Sequence, residues 1–585
     1  MVRMSKLRLT LCLLAALQPG FATEHDKLSA LIDQEWQYRL QTFPEFATAV
    51  GDNRYNDRLT DNSAAAIAKR EAHNKSALSA FEAIDASQLK GDDALNLMLI
   101  KRRLATDVAA APFKEWEMPV NQMNGEHLSY AGISKEMPFN TVHDYENYLA
   151  RLRAMPTALG QITQNMRLGM RDGLMPPRYL LEKVGTEASN IASEPLEQSL
   201  FTDPVRHFPR GVLEADKARL GAQIRQAVSQ EVLPAYAAFA KFVQSEYAPK
   251  GRTEYGVWSL PEGKARYQQN IQENTATDSS PAELHELGLK QVVQIEAQML
   301  TIAKQQGFSN VKAFNHAIFE NKKLYGTSGA QVLALYQHYA DQMYQKLPQY
   351  FGRLPKNKLV VTPMEAFRAP DGVPADYSIG AGDGSRPGHI NVNEYDPTHR
   401  LQLNAEAIAY HEGVPGHHLQ FSVAQELKDI PPFRKFDEYS AYSEGWVLYT
   451  ETLAHEMGFY QDPFSEYGRL QNLMWRSIRL VVDTGVHSQH WSRQQMIDFF
   501  HDHTAMDEQN IESEVDRYIA WPGQALSYKL GEMTILRMRE KAKAKLGAKF
   551  DIRAFHDAVL GKGPLPLDVL ESYLNEWIDA QAKRM

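Results

Sequence analysis

The residues best suited to chemistry lie in one run, His411-Glu412-Gly413-Val414-Pro415-Gly416-His417-His418. Imidazoles and carboxylates are the donors that hold zinc in proteins, and a carboxylate beside a ligand stands where a general base is needed. His-Glu also occurs at His285 and His455, but four residues on from these stand Leu289 and Phe459. Neither copy offers the second imidazole that a helical zinc motif requires, so both read as ordinary helix-surface positions.

Helix geometry sets a condition on the third copy. Six positions along a straight helix a side chain is rotated about 240° away, and seven positions along it lies about 10 Å up the axis. Neither His417 nor His418 can then share an ion with His411 at zinc bonds of about 2.0–2.1 Å. The helix must break, and Gly413, Pro415 and Gly416 supply the means. Proline has no amide proton and clashes with the carbonyl four residues back, while glycine admits unusual dihedrals. The spacing predicts a bulge that carries His417 or His418 back over His411, with Glu412 aimed at the open coordination position as the base that takes a proton from water.

A catalytic zinc takes three protein ligands and keeps one position open. Beyond Pro431-Pro432, the segment Tyr439-Ser440-Ala441-Tyr442-Ser443-Glu444-Gly445-Trp446 sets a carboxylate among aromatic and small residues. Burying it there is costly without a cation, which makes Glu444 the expected third ligand. Glu438 and Glu451 compete for that role, the latter on the same helix face as Glu444.

The elements that must position these groups are mostly helices. Residues 64–84, 214–242, 281–305 and 330–347 carry apolar side chains at three- and four-residue spacing with few internal breakers. Strand-like writing is confined to 358–393, where Leu359-Val360-Val361 leads into a Pro- and Gly-rich stretch and His389-Ile390-Asn391-Val392-Asn393 alternates as a half-exposed strand does. The expectation is a mainly α, large helical fold of two closely packed lobes with a small sheet and a deep cleft. A helical N-terminal region, 23–356, precedes a metal-binding region, 357–585, with no true linker between them.

With 585 residues, 43% apolar and 23% charged, the chain can bury a large core. A mean hydropathy of -0.44 excludes a multi-span membrane protein. The net charge of -9 is spread without a basic run, which argues against a nucleic-acid partner. Arg3, Lys6 and Arg8 precede an apolar stretch at 9–17, then Gln18-Pro19-Gly20 and Phe21-Ala22. That is the pattern of a secretory signal over 1–22 with cleavage after Ala22, and the apolar part is too short to span a bilayer. The expected location is periplasmic or secreted. The single cysteine, Cys12, falls inside the signal, so the mature chain has no thiol and no disulfide. Small residues do not precede Cys12, which favours a free protein over a lipid-anchored one.

The motif run, the Tyr442-Ser443-Glu444-Gly445-Trp446 segment, and Arg517-Tyr518 with Trp521-Pro522-Gly523-Gln524-Ala525-Leu526-Ser527-Tyr528-Lys529 resemble the bacterial DUF885 family. Phe43-Pro44-Glu45-Phe46-Ala47-Thr48 with Gly51-Asp52, and residues 284–307, resemble it too, so the likeness spans nearly all the mature chain. That family is similar to gluzincin peptidases, the large helical group of the angiotensin-converting, oligopeptidase and dipeptidyl peptidase III types. The resemblance implies a zincin-like pair of active-site helices and one Zn2+ ion, other divalent metals remaining open. His417 is implied as the second histidine ligand, because a Gly precedes that ligand in several relatives, with His418 as the alternative. It also implies an edge strand that binds peptide, placed here at 386–393 with Arg386 and Asn391. Tyr518, Tyr528 and His487 are the implied oxyanion donors, and Arg517, Gln524 and Lys529 the implied substrate-binding groups.

The function expected from these residues is hydrolysis of short peptides by metal-activated water, with a small peptide as partner. One competing reading is a metal-dependent amide or ester hydrolase acting on a non-peptide metabolite. The other is a non-catalytic exported metal-binding protein, which would have no use for Glu412.

Overall fold

The computed structural model describes residues 23–583 apart from 365–368, 370–371, 381–383, 385 and 429. The expected signal and Cys12 lie outside the described residues. The fold is mainly α with one small sheet. Apolar spacing translates directly into helices Ala64–Glu82, Pro281–Gln305 and Gly329–Tyr350. Pro281–Gln305 starts on a capping box in which Ser280 and Glu283 satisfy each other's free amides. The 214–242 segment is helical from Glu214–Ala227 through a π turn, Val228–Val232, into Leu233–Phe242. The wide turn falls just before Pro234, whose ring has no amide proton to donate to an earlier carbonyl.

Two long helices, Pro281–Gln305 and Pro463–Ser488, cross at Gly288, where a Cβ would lie 2.8 Å from Leu480 Cβ. His285 sits in this contact, buried, with Nδ1 near Val481 O at 3.1 Å and Thr484 Oγ1 at 2.9 Å. It is therefore a core residue, not the surface position expected of it, because its helix turns that face onto a neighbour. His455 is exposed, as read. The largest hydrophobic core draws on residues from Leu28 to Ile578, so a single core runs across residue 356.

The sheet has the order β1 (Leu359–Pro363), β3 (Gly388–Val392), β2 (Ala375–Ser378). β1 runs parallel and β2 antiparallel to β3. This corrects the strand reading. The alternating segment is the middle strand, hydrogen-bonded on both sides, and Ile390 and Val392 are fully buried. The edge that faces the cleft is β2, from within the Pro- and Gly-rich stretch. No described helix is long and apolar enough to cross a membrane.

Candidate metal centre and cleft

The motif helix, Ala405–Glu412, stops at Glu412, and a new helix, His417–Glu426, begins at His417. Between them the chain makes a compact elbow. Gly413 N donates to Ala409 O at 3.0 Å and closes the first helix, while Gly416 N donates to Tyr410 O at 3.0 Å and spans the inserted residues. The elbow lies on the helix it interrupts. A Cβ on Gly416 would stand 1.9 Å from His411 O, so only glycine fits that approach. Trp446 Nε1 donates to Pro415 O at 3.0 Å and ties the elbow to the helix Ser440–Glu456, which carries Glu444. A second close approach, Gly445 against Gly531, seats that helix on Ser527–Leu546; a Cβ on Gly445 would meet Gly531 Cα at 2.3 Å.

These contacts bring the expected groups together. His411 Nε2 and His417 Nε2 each lie 3.8 Å from Glu444 Oε2. The ligand atoms of the three residues all fall within 4.8 Å of one another, with the imidazole planes at 83°. Movements of about 1 Å would bring them to the spacing a tetrahedral ion with bonds of about 2.0–2.1 Å needs. Glu412 Oε1 is 4.0 Å from His411 Nε2. Burial first, then the neighbouring Glu444 and Asp376, hold the Glu412 carboxyl well above the usual carboxylate range in the absence of an ion.

His411 has a second partner. Its Nδ1 is 2.7 Å from Glu451 Oε1, and Glu451 Oε2 accepts from Asn472 Nδ2 at 3.2 Å. Glu451 lies on the face shared with Glu444, but two turns deeper, behind the imidazole. Donation from Nδ1 leaves the Nε2 lone pair facing Glu444, the arrangement common to metal-ligating histidines. Burial, then Arg476, push His411 well below its ordinary pKa, so the ring is neutral and fit to be a ligand. His417 is also lowered by burial. Two neutral imidazoles and a carboxylate, one imidazole oriented from behind, fit a borderline divalent ion such as zinc.

His418 turns away. Its Nε2 donates to Asn357 O and its Nδ1 accepts from Tyr377 OH, both at 3.0 Å, so neither nitrogen faces Glu444. Successive positions on a helix point about 100° apart, and both histidines sit on the first turn of His417–Glu426, so the second faces another way.

The three residues lie in a cleft of about 1000 Å³ lined by His411, Glu412, His417 and Glu444, by β2, and by residues of the N-terminal half including Glu115 and Glu273. Tyr528, Arg517 and Gln524 line it. Arg517 Nη2 donates to Gln524 Oε1 at 2.7 Å and to Tyr528 OH at 3.0 Å, so these three form one linked group.

The structure gives the remaining expected site residues other places. Tyr518 OH is occupied, accepting from Trp475 Nε1 and Arg479 Nε at 2.9 Å each and donating to Glu514 Oε2 at 2.5 Å. His487 is fully enclosed, taking a hydrogen bond from Val257 N at 3.1 Å and donating to Tyr518 O at 3.0 Å. Lys529 is buried in an ion pair with Glu532 at 2.6 Å. Asn391, on the middle strand, donates to Asp376 Oδ1 and Ser378 Oγ at 2.7 and 2.8 Å, while Arg386 is exposed and outside the cleft lining. In each case the residue type was readable but the direction its side chain faces was not.

Sequence reasoning passed over two cleft residues, Arg476 and Arg479, on the helix Pro463–Ser488. A signal existed: two arginines three apart in Trp475-Arg476-Ser477-Ile478-Arg479-Leu480, a run with no other charge, share one helix face. Both are buried, and Trp475 lies under both guanidinium groups, at 4.1 and 4.5 Å.

Comparison with known proteins places this geometry in a family setting. A family profile described as "Bacterial protein of unknown function (DUF885)" matches residues 44–574. A candidate lipoprotein of Colwellia psychrerythraea, known from its crystal structure, is similar at 29% identity and a TM-score of 0.89, over 96% of this chain and 100% of that one. A candidate lipoprotein of unknown function from Shewanella oneidensis has the same fold at 18% identity and a TM-score of 0.72, over 95% of this chain and 100% of that one. No functionally curated protein matches.

Proposed function

The chain belongs to the DUF885 family of bacterial proteins of unknown function, and from the geometry of its cleft we propose that it is an exported zinc-dependent hydrolase that cleaves short peptides. The observation that carries this reading is the convergence of His411, His417 and Glu444 with Glu412 at 4.0 Å from His411 Nε2. Glu412 supports an enzyme over a metal store, because ion binding alone has no need of it.

When bound, zinc supplies Lewis acidity toward a carbonyl oxygen and toward water. The protein does the rest. Glu451 fixes the His411 tautomer through Nδ1. Glu412, with Oε1 4.0 Å from His411 Nε2, takes the proton of the attacking water and returns it to the leaving amine. β2, hydrogen-bonded to β3 on one side, offers its other edge to an extended peptide backbone along the cleft. The Tyr528 phenol, steadied by Arg517, is a cleft hydroxyl available to an oxyanion. That edge favours peptides over other amides and esters.

Export rests on the signal-like N-terminus, and on the two similar structures being described as candidate lipoproteins. The deciding experiment incubates the zinc-loaded protein and its Glu412→Gln variant with a mixed oligopeptide library, alongside elemental analysis. The expected result is equal metal content and turnover by the native protein alone. Cleavage by the variant at the native rate would remove Glu412 from the mechanism, and a protein without bound metal would remove the centre.

A further inference from the structure

Resting on the hydrolase reading, we infer that Arg476 and Arg479 form a recognition site for the free α-carboxylate of the substrate, so that the enzyme works from the C-terminal end of peptides.

The charged lining of the cleft is divided. Glu115, Glu273, Asp376, Glu412, Glu438 and Glu444 supply acidic groups from many parts of the chain. Its arginines are Arg476, Arg479 and Arg517, on the adjacent helices Pro463–Ser488 and Glu508–Ala520. An anionic group entering this cleft has one wall to go to.

That wall sets three arginines against one carboxylate in ion-pair contact with them among the described residues. Glu514 alone is paired there, with Arg479 at 3.0 Å and Arg517 at 3.4 Å. The Glu451 carboxylate is engaged by His411 and Asn472. Arg476 makes no ion pair among the described residues; its one hydrogen bond, from Nη1 to Asn472 O, is long at 3.5 Å. It is 5% exposed, its Nε has no partner, and Arg479 Nη1 has none either. Glu451 and Glu514 act on Arg476 only from beyond contact distance, and a buried guanidinium without a contact anion is costly, so a cleft-lining one is relieved by an anion from outside.

The chemistry fits a carboxylate. The planar fork of an arginine matches the two oxygens of a carboxylate. Tyr528 and Trp475 flank the Arg479 guanidinium at 4.2 and 4.5 Å, which holds its plane fixed. Both arginines line the same cleft as the ligand triad, so an anchored chain end leaves the scissile bond near the C-terminus.

The test compares matched short peptides, N-acetylated and ending in a free acid or in an amide, by calorimetric binding to the zinc-loaded Glu412→Gln protein and by cleavage with the native one. The acid is expected to bind at least about 30-fold more tightly than the amide, the lower range for a buried charge partner. In Arg476→Met that ratio should shrink to a few-fold, and Arg476→Lys, which keeps charge without the fork, should fall between. Acid and amide binding equally to the parent protein overturns the site, as does a ratio left intact in both variants. Selective binding of the acid without any cleavage keeps the carboxylate site and removes the hydrolase reading.

Discussion

Glu451 Oε1 lies 2.7 Å from His411 Nδ1, and both groups are almost wholly buried, the acid at 1% exposure and the imidazole at 4%. The carboxylate is thereby withheld from the cleft and given to the far side of a candidate ligand, where it sets which imidazole nitrogen presents a lone pair.

Removing that charge should weaken the centre without dismantling it. Glu451→Gln preserves the shape and the Asn472 neighbour but replaces a charged acceptor with a neutral one. Metal affinity, read by competition with a calibrated chelator, is expected to fall about 10- to 100-fold, the usual range for such outer partners. An unchanged affinity would show that the contact is packing only.

The elbow makes a sharper structural prediction. Gly416→Ala sets a methyl 1.9 Å from the His411 carbonyl oxygen, a backbone atom that cannot move without moving the ligand. It should cost about 1–3 kcal/mol in urea unfolding and lower metal retention together. Gly132→Ala, with nothing within 4 Å of the added carbon, should change stability by under about 0.5 kcal/mol. Equal behaviour of the two variants would mean that the tight elbow does not position His411 and His417.

What could be read in advance, and what could not, divides along a physical line. Apolar spacing reports which face of a helix is buried, so Pro281–Gln305 and Gly329–Tyr350 were legible, and so was the need for a break between His411 and His417. Spacing carries no information on depth. Glu444 and Glu451 share a face, and only the seating of their helix, set by Gly445 on Gly531, puts one at the cleft floor and the other behind the imidazole. Strand order was equally hidden. A short edge strand such as Ala375–Ser378 owes its conformation to pairing with β3 and has no periodicity of its own to announce it. Trp475 and Arg479 against Tyr518, and Val257 against His487, come from other segments, so the withdrawal of both side chains from the cleft was beyond reach of the sequence.

Outside the ligand set, two buried groups whose pKa values shift in opposite directions make a pH prediction. His556 donates to Tyr350 O and accepts from Tyr449 OH, at 2.8 and 2.6 Å, and burial pushes its pKa down to about 3. Asp483, bonded by Tyr267 OH at 2.5 Å, is pushed up to about 7 by burial. As pH falls from about 6.5 toward 3, the unfolded chain protonates at His556 and the folded one does not, so stability is lost. As pH falls from about 7 toward 4, the folded chain protonates at Asp483 and the unfolded one does not, so stability is gained. The two offset each other in the native protein, and single variants expose them. Relative to native, His556→Gln should gain up to about 1.4 kcal/mol per pH unit on acidification through this window, and Asp483→Asn should lose a similar amount. Urea unfolding at pH 7, 6 and 5 reads both slopes. Parallel curves for all three proteins would show that neither group has a shifted pKa.

The paired histidines permit the most economical test of the centre. His417 Nε2 faces Glu444, whereas the adjacent His418 spends both nitrogens on Asn357 O and Tyr377 OH. His417→Asn removes a ligand atom and leaves the helix start intact, so bound metal after dialysis should fall from near one per chain to near zero with little change in apo-protein stability. His418→Asn should do the reverse. It strips hydrogen bonds from a fully buried ring and costs about 1–3 kcal/mol in unfolding, while metal stoichiometry stays at the native level. Elemental analysis and urea titration on the same preparations separate the two effects. Metal lost from His418→Asn but kept by His417→Asn would exchange their roles and require the elbow to open around His411.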